Sequence, residues 1–279
     1  MAGGSTFTKA LAGVYSAQPD LEPQVVKSPG VVETVEMLED GRADVGYSFA
    51  NVAYSAVMGE LPERNKRFSH LRAIALLRRA ALHVLVGPDS PVREMQQLRG
   101  LTVKSSGPGA ALSMTVDSVL PPFGLDPTAI EAVESAAETA IDDLLANRLG
   151  ALIVLGIPPV PWLEPALTAG ARLLPVDGSP TGQLLREYPF YSALVIPTDT
   201  YPRLAEPIVT VGVDGVLLCR AELPDDVVYR LTKALYESSA GVHVHPAFAQ
   251  WLDPSVGAAT PIPLHAGAAR YYRERELSP

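Results

Sequence analysis

Apolar positions recur along the chain in short runs of two spacings, cut apart by turn residues. Residues 9–17 have helical spacing through Leu11, Val14 and Tyr15; from Val31 it recurs through Val35 and Leu38, stopping at Asp40-Gly41. Between them, Gln24-Val25-Val26-Lys27 alternates like a strand and ends at Ser28-Pro29-Gly30. Residues 43–47 read as a short strand, and Asn51-Val52-Ala53-Tyr54 opens a further helix. Residues 71–77 and 82–86 are apolar enough for two buried strands, the first ended by Arg78-Arg79. A short helix over 91–100 then leads to a strand at 101–103 and the loop Ser105-Ser106-Gly107-Pro108-Gly109. Helices are predicted at 111–120 and 136–147, the latter with Ile141, Leu144 and Leu145 on one face. A strand at 151–155 runs into Pro158-Pro159-Val160-Pro161, and 188–207 is loop-rich. Residues 209–219 return to strand character, and 225–240 form an amphipathic helix through Val228, Leu231 and Leu235.

Strands alternating with helices over short connections predict an α/β fold. Extended segments near 82–87 and 190–212 join two such halves and predict two lobes around a cleft. The first lobe takes residues 1–84 plus 208–279, the second 85–207. Ligands of open α/β sheets sit where strand ends lead into helix starts. Three loops qualify: residues 5–8, 28–31 and 105–109.

Composition narrows the function. With 279 residues the chain has ample core for one large domain or two modest lobes. A net charge of −9, from 22 Lys+Arg against 31 Asp+Glu, argues against nucleic acid or an anionic membrane as partner. A mean hydropathy of +0.15 argues against a disordered chain. No apolar run reaches the ~18 residues of a spanning helix. The 26 prolines and 22 glycines suit many short elements and shaped loops. The single cysteine, Cys219, excludes an internal disulfide and a Cys-based zinc site. The segment Met1-Ala2-Gly3-Gly4-Ser5-Thr6 has neither a basic n-region nor an apolar run. That leaves a cytoplasmic protein or an exported one whose signal lies outside this chain.

Catalytic constellations are missing from the sequence. There is no G-x-S-x-G elbow, no nucleotide-binding glycine motif and no histidine pair at metal spacing on a helix. His243 and His245 form H-x-H before Pro246 with no cysteine or carboxylate to complete a site, and a turn after the helix accounts for them. Cys219, within Val216-Leu217-Leu218-Cys219, reads as a core thiol. Glu131/Glu134 and Asp142/Asp143 read as solvated faces. No cofactor and no metal are expected. Arg78-Arg79 is the exception: two adjacent cations in an acidic chain suit a carboxylate, either of them facing it, although a solvated cation beside an ion pair is the plainer reading.

Taken in order, the motifs resemble the TRAP-associated extracytoplasmic immunogenic (TAXI) class of solute-binding proteins. The matching stretches begin with Gly3-Gly4-Ser5-Thr6-Phe7, Pro29-Gly30-Val31-Val32-Glu33-Thr34 and Asp44-Val45-Gly46. They continue with Asn51-Val52-Ala53-Tyr54, Leu98-Arg99-Gly100-Leu101 and Gly156-Ile157-Pro158-Pro159. The most specific are Glu187-Tyr188-Pro189-Phe190-Tyr191, Leu223-Pro224-Asp225-Asp226 and Leu264-His265-Ala266-Gly267. The resemblance covers nearly the whole chain.

It implies the type II periplasmic-binding fold: two α/β lobes hinged about a ligand cleft. It further implies a monomer that hands a small organic acid to a TRAP-type membrane permease, in the periplasm or, secreted or lipid-anchored, outside the cell. By the same resemblance the ligand residues are Ser5, Thr6, Phe7, Gly30, Val31, Phe49, Asn51, Ser106, Gly107, Gly109, Ala110, Ala111, Leu112, Gly156, Ile157 and Pro159, to which charge adds Arg78. Departures from the family pattern bear on specificity. Thr6-Phe7-Thr8 stands where the family has Tyr-Tyr-Pro, Phe49 where glutamine is common, and Ala110-Ala111-Leu112 where Ser-Gly-Thr is common. Hydroxyl and amide groups give way to apolar ones, which predicts a carboxylate with a more apolar tail than glutamate. A stand-alone sensing protein of the same fold is the alternative, and an enzyme would need an acid–base pair that the sequence lacks.

Overall fold

The apolar runs at 71–77 and 82–86 form one continuous strand, Leu71–Val86, with Arg78 and Arg79 half-buried inside it. This computed structural model describes residues 1, 6–62, 64, 66–105, 110–134, 136–237, 252 and 254–276, and of Thr6 only the backbone. In chain order the elements are α1 (Thr6–Ser16), α2 (Val31–Glu39), β1 (Val45–Phe49), α3 (Ala50–Met58), β2 (Leu71–Val86) and β3 (Thr102–Lys104). They continue with α4 (Ala111–Val119), β4 (Glu131–Val133), α5 (Ala137–Leu145), β5 (Ala151–Gly156), α6 (Glu164–Thr168) and β6 (Arg172–Leu173). Last come α7 (Gly178–Glu187), β7 (Tyr191–Ile196), β8 (Ile208–Arg220), α8 (Asp225–Glu237) and α9 (Ala266–Glu276).

The chain forms two units, residues 1–78 with 214–279 and residues 79–213. Strands β2 and β8 each run from one unit into the other. In the first unit β1 pairs antiparallel with the end of β8, Val45 opposite Cys219 and Phe49 opposite Gly215, and β8 is flanked by β2. Its core joins Leu11, Val14 and Tyr15 of α1 to Ile74, Leu217, Val228, Leu231 and Tyr271. The 3.6-residue spacing of α1 and α8 brings these side chains onto one stripe, which the sheet covers.

The second unit orders its strands β4-β3-β5-β2-β8-β7, with β6 on the end of β2. The β3–β4 and β3–β5 pairs are parallel; β2–β5 and β7–β8 are antiparallel. Its core gathers Ala81, Leu85, Leu144, Leu152, Leu163 and Tyr201.

Several expectations need correcting. Residues 24–27 form no strand: among the described residues only Val26 makes an isolated bridge, its amide donating to the Met1 carbonyl, while the Gln24 carbonyl accepts from the Met1 amino group. The 91–100 segment contracts to one 3-10 turn, Met95–Leu98, which a Glu94–Gln97 capping box closes. The 188–207 stretch contains β7, whose alternating burial is that of a strand covered on one face.

Candidate functional site

In the second unit, β5 stops because Pro158 and Pro159 have no amide hydrogen to continue the ladder. The chain folds back at once, and Gly156 makes the return possible: a β-carbon there would stand 2.7 Å from Val160 Cγ2. Val160 is buried, and its amide donates to Tyr201 Oη at 2.8 Å. The same oxygen lies 2.8 Å from His83 Nε2, while His83 Nδ1 lies 2.9 Å from the Ala81 carbonyl. A carbonyl only accepts, so Nδ1 carries the hydrogen and bare Nε2 accepts from the tyrosine hydroxyl. The rings meet edge to face at 5.7 Å. Every group in this chain is satisfied, and His83 is only 1% exposed. Burial holds its pKa down at about 4, so the ring is neutral at pH 7, and burial pushes Tyr201 up to about 12.

Strand alternation places Arg79, Ala81 and His83 on one face of β2, and Ala81 is the register partner of Gly156. Arg79 therefore lies on the face from which the 156–160 loop springs, whereas Arg78 points to the other. The Arg79 stem crosses Gly212 of β8: a β-carbon at 212 would stand 2.7 Å from Arg79 Cγ and 3.4 Å from Leu194 Cβ. Ser192 pairs directly opposite Gly212, and its hydroxyl is buried with no hydrogen-bond partner among the described residues. Lys104, at the end of β3, is half-buried; burial lowers its pKa and Glu134 opposes the shift.

The first unit offers a helix start. Gly30 precedes α2, and its carbonyl accepts from the Thr34 amide at 3.0 Å and the Ser28 hydroxyl at 2.7 Å. Thr34 Oγ1 lies 2.9 Å from Ser28 Oγ, and Ser48 Oγ donates to the Val31 carbonyl. Among the described residues nothing lies within 4 Å of where a Gly30 β-carbon would be, so they leave this turn open on that side. Phe7 is buried in the core and tilts against Tyr47 at 5.6 Å, and Tyr47 meets Phe49 edge to face at 5.5 Å. Asn51 is buried, with Oδ1 accepting from the Val52 amide.

Of the expected ligand residues, Gly30 and Val31 adjoin one another, Phe49 and Asn51 flank the start of α3, and Gly156, Ile157 and Pro159 share the loop after β5. Phe49, Val31, Gly156 and Ile157 are half-buried and Pro159 is exposed, whereas Phe7, Asn51, Ala111 and Leu112 are buried. Ala110 opens α4 without a side-chain cap. Ser5, Ser106, Gly107 and Gly109, with His243 and His245, lie outside the described residues. Sequence reasoning missed His83, Tyr201 and Gly212 as parts of the loop's surroundings; no spacing signals a contact between residues 118 positions apart. Among the described residues no cluster of three metal-ligating side chains occurs, and no helix is long and apolar enough to cross a membrane.

The model of the NMT1-like family matches residues 2–275. Among solved structures, XAC2383 from Xanthomonas citri, bound to ATP, is 12% identical over 95% of this chain and 92% of its own, with a TM-score of 0.59. A structure described as a periplasmic transporter is 15% identical over 97% of this chain and 87% of its own, with a TM-score of 0.52. The periplasmic aliphatic sulphonate binding protein SsuA from Escherichia coli is 15% identical over 96% of this chain and 75% of its own, at 0.49. The likenesses at 0.59 and 0.52 show the fold, the α/β class of two-lobe periplasmic binding proteins.

Proposed function

The chain belongs to the NMT1-like family, and from that premise we propose that it is an extracytoplasmic solute-binding protein of the TAXI class that captures a small carboxylate for a TRAP-type permease. The observation that carries the reading is Arg79 laid across Gly212, on the sheet face that bears the Gly156–Val160 loop. In a chain of net charge −9 an anion needs a local cation, and a half-buried guanidinium offers two parallel N–H groups to a carboxylate. Arg79 takes the role that sequence reasoning gave to Arg78. The apolar Ile157 and Pro159 of that loop are then the surfaces that meet the rest of the ligand. They offer area rather than hydrogen bonds, which favours a branched or aromatic tail. The protein works as a monomer without cofactor or catalytic step.

Calorimetry tests this. The purified protein binds 4-methyl-2-oxopentanoate or phenylacetate more tightly than glutamate or 2-oxoglutarate. The reverse order refutes the apolar-tail reading. Mass spectrometry of small molecules released by unfolding natively purified protein names the acid directly.

A further inference from the structure

The loop that bears Gly156, Ile157 and Pro159 stands at a strand end where no ladder can hold it, since two consecutive prolines offer no amide. Its backbone is instead tied down at Val160. The tie runs inward through three buried groups: Val160 N–H to Tyr201 Oη, Tyr201 O–H to His83 Nε2, and His83 Nδ1–H to the Ala81 carbonyl. It closes on itself, because Ala81 is the register partner of Gly156, the residue at which the loop departs. Packing reinforces it. Val160 fills the space that Gly156 leaves empty, and the Tyr201 and His83 rings meet edge to face.

We propose that His83 and Tyr201 are positioning residues which hold the 156–160 loop in its ligand-receiving shape before the ligand arrives. The inference rests on the reading of that loop as part of the binding site. A loop ordered in advance does not lose its freedom on binding, so the affinity includes no cost for ordering it. Tyrosine is required because a single atom must accept from an amide and donate to a ring nitrogen. Neutral histidine is required because one nitrogen must donate while the other accepts. Phenylalanine at 201 leaves both the Val160 amide and His83 Nε2 without partners in a dry site.

The test uses the full chain with three readouts. Nitrogen-15 NMR of the native protein reports the His83 tautomer, with the hydrogen on Nδ1 expected. Amide exchange is compared between the native protein, Tyr201→Phe and Leu144→Ala, the last removing a buried side chain of the same core that takes no part in the relay. Tyr201→Phe speeds exchange at Ile157 and Val160 at least tenfold while residues 151–154 stay protected. It also weakens binding of 4-methyl-2-oxopentanoate about tenfold, whereas Leu144→Ala lowers the melting temperature and leaves that affinity within twofold. An Nε2–H tautomer, unchanged exchange at Val160, or equal affinity losses in the two variants overturns the proposal. The tautomer is read on the native protein, so it decides even if Tyr201→Phe does not fold. Should the native protein bind none of the four acids, the carboxylate reading fails, while tautomer and exchange still judge the relay.

Discussion

Arg79 and Gly212 are fitted to one another: the space a β-carbon would take at 212 is filled by the Arg79 stem, 2.7 Å away at Cγ. The contact separates charge from placement. Gly212→Ala keeps the guanidinium but pushes its stem aside, whereas Arg79→Ala removes it. Both weaken carboxylate binding about tenfold, roughly 1.4 kcal/mol, a value moderated by the half-exposed setting. Arg78→Ala, on the opposite strand face, changes it less than twofold. Calorimetry on the three variants checks this, and full affinity in Gly212→Ala would remove Arg79 from the site.

Gly30 makes the opposite case. Its backbone is fully extended, φ −170°, a conformation open to any residue, and no atom of the described residues stands within 4 Å of an added β-carbon. Gly30→Ala is therefore stability-neutral or stabilising by about 0.5 kcal/mol, through the unfolded chain's lost freedom. If a ligand approaches this turn, the same methyl group obstructs it and the affinity falls. Thermal melting and calorimetry on one variant separate the two effects.

The fold class was legible because helical spacing and buried strand runs are local properties: α1, α2, α5 and α8 follow from the stripes of Leu11, Leu38, Leu144 and Leu231. What escaped depended on distant partners. Arg78-Arg79 reads as a strand end, yet the strand continues because Gly212, over 130 residues away, makes room for one of the stems. Strand β7 hides between Pro189 and Pro197, and its Ser192 and Ala193 carry little strand signal; only pairing with β8 defines it. The relay was invisible for the same reason. His83 stands in an apolar run and Tyr201 in a turn, and nothing local relates them.

Cys219 lies opposite Val45 in the first unit's sheet, fully buried, and burial raises its thiol pKa. Thiolate is the reactive form, and here neither access nor ionisation is offered. The native protein resists a chromogenic disulfide reagent, and labelling appears only with denaturant, in step with loss of circular dichroism. Cys219→Ala costs about 1–2 kcal/mol as the site loses packed volume, measured from urea midpoints. Prompt labelling of native protein would contradict the core assignment.

His83 couples the second unit's stability to pH with a definite sign. Its folded pKa is about 4 against an ordinary 6.5, lowered chiefly by burial. Below pH 6.5 the unfolded chain takes up a proton that the folded protein declines, so unfolding is favoured increasingly as acid is added. The contribution is fully present above pH 6.5, falls through the window, and is spent near pH 4, where the folded protein also protonates. Its full size, reached below pH 4, is about 3.5 kcal/mol, at roughly 1.4 kcal/mol for each tenfold difference in proton affinity. Protonation also breaks the relay, since an Nε2–H cannot accept from Tyr201. Carboxylates add their own acid dependence, so the measurement is a difference: urea unfolding at pH 7.5, 5.5 and 4.5 for the native protein and His83→Gln. The native protein loses about 2.5 kcal/mol more than the variant across that range, and parallel curves would show that His83 is not the titrating group.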